Sequence, residues 1–164
     1  MEAELRGCFN FFWNEWVADP TLPTHGLNAG DYVGLKRHMP LAIESQGFYF
    51  PVIVLGVERS WVEREAARKR VLAALDSLLR LQHFHGFFYH FIDVESGERG
   101  WRAAGVEVSN MSTATMIAGA LMAGEYFGGQ VRVKAEQLYE RIDWNWFLDQ
   151  QRQHFYLACH PEAV

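Results

Sequence analysis

The chain has 164 residues, 49% hydrophobic and 15% aromatic, with six Trp, twelve Phe and a formal net charge of −5, which suits one domain with a substantial core. The acidic balance argues against nucleic acid as a partner, because the longest basic run, Arg64 to Arg70, is broken by Glu65 and two alanines and reads as a solvated helix face. No apolar run approaches the ~20 residues that span a bilayer, and the acidic start Met1-Glu2-Ala3-Glu4-Leu5-Arg6 lacks the regions of a secretory signal. No membrane partner is expected, and the compartment stays open. Cys8 and Cys159 stand far apart with no metal or redox spacing, which predicts free, buried thiols.

Helical periodicity dominates the rest. Leu5, Cys8, Phe9, Phe12, Trp13 and Trp16 share one helical face, so a helix is expected from Glu4 to Val17, ending before Asp19-Pro20. Residues 18–42 hold three of the five prolines with Gly26, Gly30 and Gly34, the composition of a long loop. Ser45 to Val57 reads as a second helix that Pro51 would kink. Ser60-Trp61-Val62-Glu63 has the pattern of a capping box opening a third helix to about Gln82, along Val71, Leu72, Leu75, Leu78 and Leu79. Met111 to Phe127 is a helix rich in small residues that would let neighbours approach closely. Val131 to Ile142 is another, and Trp144 to about His154 reads as a last one. The expected class is all-α with one short β-hairpin near 86–102, and helix pairs joined by loops are the units of an α/α toroid.

The hairpin carries the chemistry. Gly86-Phe87-Phe88-Tyr89-His90-Phe91-Ile92-Asp93, followed by Gly97-Glu98-Arg99-Gly100-Trp101, is aromatic on both faces and ends on an acid, unlike a strand that only fills a core. Aromatic rings beside carboxylates suit a sugar, which stacks its C–H face on a π-system and offers its hydroxyls to charged acceptors. A half-buried hairpin whose Glu95-Ser96-Gly97-Glu98 turn is simply a turn fits the residue types as well.

These residues, with Glu107-Val108-Ser109, Ala118-Gly119-Ala120-Leu121 and Glu125-Tyr126-Phe127, resemble the glycoamylase-like domain family. That family includes bacterial endo-β-1,2-glucanases and a domain of cyclic β-1,2-glucan synthase. Phe11-Phe12-Trp13-Asn14, Gly26-Leu27, Gly47-Phe48, Gly56-Val57-Glu58-Arg59-Ser60-Trp61 and Leu138-Tyr139-Glu140-Arg141-Ile142-Asp143-Trp144 extend the match over most of the chain. The resemblance implies an incomplete α/α toroid, the N-terminal half of a glycoamylase-like domain over residues 1–164, because the family's twelve helices do not fit this length.

Inverting glycoside hydrolysis needs two carboxyl groups about 6.5–9.5 Å apart, one protonated and one ionised. Asp93 and Glu107 are the catalytic candidates, expected on one cleft rim with Trp101, whereas Glu95 and Glu98 suit solvated turn positions. Phe88, Tyr89, His90, Arg99 and Trp101 are candidate sugar contacts. For Arg99 and Trp101, a guanidinium fork with a stacking face competes with a plain cross-strand packing pair. Similar proteins carry Asp-Thr-Ala where this chain has Ser112-Thr113-Ala114. Ser112 can cap the helix or bond a sugar hydroxyl, but it cannot carry the charge. His83, His85 and His90 are close in sequence, but no HExxH or cysteine pair reinforces a metal reading. No Gly-x-Ser-x-Gly elbow or phosphate loop occurs, so neither metal nor cofactor is expected.

Two functional classes follow: a glycoside-hydrolase-like domain that binds or acts on β-glucan, or a non-catalytic interaction or carbohydrate-binding module. The partners expected are a β-glucan oligo- or polysaccharide, together with a second copy or a complementary C-terminal half.

Overall fold

A computed structural model describes residues 1–29, 40–100 and 105–163. Among these, five α-helices dominate: α1 (Glu2–Asn14), α2 (Ile43–Glu58), α3 (Arg64–Arg80), α4 (Asn110–Phe127) and α5 (Gly129–Glu140). The short strands come in antiparallel pairs of two residues. β1 (Leu41–Ala42) pairs with β4 (Phe91–Ile92), β2 (His83–Phe84) with β3 (Phe87–Phe88), β5 (Val108–Ser109) with β8 (Ala158–Cys159), and β6 (Leu148–Asp149) with β7 (His154–Phe155). None of the helices among the described residues is long and apolar enough to cross a membrane.

The core is built on α2 and α4, which pack against each other while α1 and α3 flank α2 and α5 flanks α4. Small residues set that contact. A β-carbon on Gly47 would overlap the Thr115 carbonyl, and one on Gly119 would overlap the Gly47 carbonyl. Pro51 sits inside α2 and has no N–H to offer Gly47, so the carbonyl left over is the one pressed onto Gly119. On the other side of α2, the Phe9 ring fills the space that a side chain at Gly56 would need. It also stacks on Trp13 at 5.6 Å and leans on Trp61 at 5.4 Å.

The expected capping box does not form. Ser60 lies in the left-handed region (φ 56°), its N–H donates to the Val57 carbonyl, and the Trp61 N–H donates to the Gly56 carbonyl. These two bonds close the C-terminus of α2 as a Schellman motif. The residue before α3 is Glu63, without a side-chain cap.

The last expected helix is also replaced. Trp144–Phe147 makes a single 3-10 turn, and the chain then reverses through the β6–β7 hairpin. Asp149 explains the reversal: its Oδ1 accepts the N–H groups of Gln151 and Arg152, offering the backbone a turn in place of a helix. Cys8 is exposed on the outer face of α1, and Cys159 is half-buried. The expected burial of Cys8 fails because Phe9, Phe12 and Trp13 turn the other face of α1 inward, whereas Cys159, in β8, packs against the core without being fully enclosed.

In place of one hairpin over 86–102 the chain makes two reversals, the first beginning upstream of that region at β2. β2 and β3 turn through His85 (φ 52°) and Gly86 (φ 84°), the left-handed pair that tight hairpins require. A β-carbon at Gly86 would also come within 2.5 Å of the Arg141 carbonyl. Further on, the Asp93 N–H donates to the Glu98 carbonyl (2.8 Å) and the Gly100 N–H to the Phe91 carbonyl (2.9 Å), folding residues 91–100 back on themselves.

Candidate functional site

His90, between β3 and β4, is held by its backbone before its ring is considered. Its carbonyl accepts the N–H of Ile43 (3.0 Å) and its N–H donates to the carbonyl of Glu107 (2.9 Å). The start of α2 and the approach to β5 are thereby fixed on either side of one residue. Its ring then meets a carboxylate from each: Nδ1 lies 2.7 Å from Glu107 Oε1 and Nε2 lies 3.0 Å from Glu44 Oε1. Phe91 stacks flat against it at 4.1 Å. All three polar side chains are half-buried, and Glu44 Oε2 is a buried atom without a hydrogen-bond partner.

The electrostatics follow from this geometry. Burial works against a charged imidazole, but the hydrogen bonds and charges of Glu107 and Glu44 outweigh it and raise the His90 pKa above its ordinary value. Burial likewise pushes the Glu107 carboxyl upward, yet a backbone N–H and His90 together hold it below the usual carboxylate range. Glu107 is therefore an ionised acceptor at neutral pH, the state that activates a water.

Of the residues read from the sequence, Glu107 and His90 come together. Asp93 does something else: its Oδ1 accepts the N–H of Glu95 (3.1 Å) and the N–H and hydroxyl of Ser96 (2.8 and 3.0 Å), anchoring its own turn. Glu95 and Glu98 are exposed, as expected. Phe88 has no exposed surface and so cannot be a sugar platform; its N–H donates to Thr113 Oγ1 at 2.9 Å and Arg141 lies over its ring. Tyr89 is nearly buried, with Arg99 at 4.9 Å over its ring. Arg99 is not free to fork onto a sugar, because Nε donates to the Val106 carbonyl (2.6 Å) and its terminal nitrogens meet Glu162 and His160. The helix cap is Ser109, whose Oγ accepts the N–H of Ser112 (3.1 Å). Ser112 itself is buried with an unpartnered Oγ. Trp101 lies outside the described residues.

The histidines separate. His83 Nδ1 accepts the Gly86 N–H and His85 stacks on Trp146 at 4.9 Å. Among the described residues no group of three potential ligands could hold a metal ion.

Sequence reasoning missed Glu44, which no motif marks. It also missed an apolar cavity of about 360 Å³ lined by Trp146, Phe147, Tyr156, Ala158 and Cys159. One of its lining residues, Cys159, pairs with Val108, the residue after Glu107.

No family model matches the sequence. The chain is similar to an exo-β-1,2-glucooligosaccharide sophorohydrolase of Parabacteroides distasonis, with 28% identity over 149 residues that cover 85% of this chain and 19% of that protein. It shares its fold with an endo-β-1,2-glucanase from Chitinophaga pinensis, solved with sophorotriose and glucose (TM-score 0.71, 19% identity, 96% of this chain and 41% of that one). A glucoamylase candidate from Bacteroides fragilis has the same fold (TM-score 0.77, 21% identity, 98% and 40%). The resemblance to glycoamylase-like domains thus holds in sequence and in fold. The chain spans about a fifth of the length of the curated relative and about two fifths of these two structures.

Proposed function

We propose that this chain is a glycoside-hydrolase-like β-glucan-binding unit, corresponding to the N-terminal half of a toroid, in which Glu107 is the ionised carboxylate of the site. The observation that carries this reading is the Glu107–His90 hydrogen bond, which holds a half-buried carboxylate charged. In an inverting hydrolysis such a group takes a proton from the attacking water, while a second, protonated carboxyl serves the leaving oxygen. Asp93 is a poor choice for that acid because its Oδ1 is engaged in a turn. The acid then comes from a complementary half, and the isolated chain binds β-glucan with little or no turnover. Trp146 and Tyr156 are the platforms proposed for a glucosyl ring, in place of Phe88 and Tyr89.

Calorimetric titration with linear β-1,2-glucan oligosaccharides, paired with a reducing-end assay, tests this reading. Binding without turnover, weakened by Trp146→Ala, is expected. Absence of binding to any β-glucan, or robust turnover by the chain alone, would overturn it.

A second reading, an interaction module, is favoured by Phe155, Tyr156 and Leu157, which are 50%, 49% and 68% exposed in succession. A second copy of the chain or a complementary half would cover them.

A further inference from the structure

The two ring contacts of His90 set a constraint on protons. A neutral imidazole has one N–H and one lone pair, so it can satisfy only one ionised carboxylate. Here both nitrogens face carboxylate oxygens, at 2.7 and 3.0 Å. Two ionised carboxylates require an imidazolium that donates from both sides.

Glu44 is an unusual partner for this role. It belongs to the first turn of α2, 46 residues from His90, and the same turn is pinned to His90 by the Ile43 N–H. The ring and Glu44 therefore move as one frame. The other oxygen of Glu44 has no partner, so the contact with His90 is the bond that orients it.

We infer that Glu44 is a positioning residue for Glu107: by accepting a hydrogen bond from Nε2 of His90 it keeps the imidazole doubly protonated, which presents Nδ1–H to Glu107 and fixes that carboxylate's charge and orientation. The titratable groups facing the ring are Glu44 from α2 and Glu107 from the segment before β5. His160, from the segment after β8, acts on Glu107 as a further charge. The catalytic consequence rests on the role proposed for Glu107, whereas the proton arrangement stands without it.

The test is a titration of ¹⁵N-labelled histidine side chains by NMR from about pH 5 to about pH 9, spanning the imidazole range, with His90 assigned through His90→Gln. Both ring nitrogens should carry protons at neutral pH, with a midpoint above the ordinary value of about 6.5. Glu44→Gln should lower that midpoint by about one unit or more, as the loss of an adjacent opposite charge does. Glu44→Asp, which keeps the charge on a shorter arm, should fall between the two. An unchanged midpoint in Glu44→Gln would overturn the inference. So would a wild-type ring that is a single neutral tautomer at neutral pH, a measurement that needs no variant to fold. Failure of glucan binding with the titration as expected would strike only the functional reading above.

Discussion

Gly47 and Gly119 meet backbone to backbone where α2 packs on α4, with the carbonyl of one occupying the place of a β-carbon on the other. Alanine is the better helix former by about 1 kcal/mol, yet here it has to push two buried helices apart. Gly119→Ala is expected to destabilise the fold by about 1–3 kcal/mol, the usual cost of overpacking, measured as a drop in the urea midpoint. A stabilised variant would show that the two helices slide freely.

Ser60 is a non-glycine residue at the left-handed position of the Schellman motif that ends α2. Left-handed backbone costs an L-residue roughly 1–2 kcal/mol that glycine avoids. Ser60→Gly should therefore stabilise by about 0.5–1 kcal/mol after glycine's extra chain entropy is deducted, seen as a raised thermal midpoint.

Stability should depend on pH through His90 and Glu107 in opposite senses. The raised His90 pKa makes its contribution complete below 6.5 and lost as pH climbs through the higher folded value. The lowered Glu107 pKa makes its contribution complete above 4.5 and lost as pH falls through the lower folded value. Both act together between 4.5 and 6.5. The urea midpoint should fall between about pH 6 and about pH 8 by more in the wild type than in His90→Gln; parallel curves would contradict the coupling.

Asp93 separates a turn anchor from a reacting acid. Asp93→Asn keeps an Oδ1 acceptor for the Glu95 and Ser96 N–H groups and should retain both stability and glucan binding. Asp93→Ala should cost about 1 kcal/mol, as other side-chain caps do. Loss of glucan binding in a stable Asp93→Asn would restore this residue to the site.

Phe155, Tyr156 and Leu157 form an exposed apolar run beside the β6–β7 hairpin, the kind of surface that marks an interface. Light scattering at tens of micromolar should show a mass that rises with concentration and falls back in Leu157→Glu. A constant monomer mass would dismiss the second copy as its cover.

Helices were legible wherever periodicity and burial agree, as along Val71, Leu75 and Leu78 of α3. They failed at Trp144–His154, where aromatic spacing looks helical while Asp149 supplies a local turn. Ser60 misled for a related reason, since the same Ser-x-x-Glu pattern fits either side of a tight connection and only the backbone tells which. Within the site, His90 could be found because it sits in the aromatic run Gly86 to Asp93, and Glu107 through the resemblance carried by Glu107-Val108-Ser109. Glu44 could not, because its role exists only through a residue 46 positions away. Arg99 and Phe88 have side chains suited to sugars, but residue type does not say which contacts a fold has already used.

The strand after Glu107 depends on residues far along the chain. β5 pairs with β8, Asn110 donates to the Tyr156 carbonyl across 46 residues, and Arg99 reaches Glu162 across 63. Closing such long loops is slow and entropically costly compared with winding a helix. In time, therefore, the helical pairs precede the site, which completes itself only when the segment around 154–162 docks. The same order reversed governs opening: hydrogen exchange should reach the amides of Val108 and Asn110 while those in the interiors of α2 and α4 are still protected.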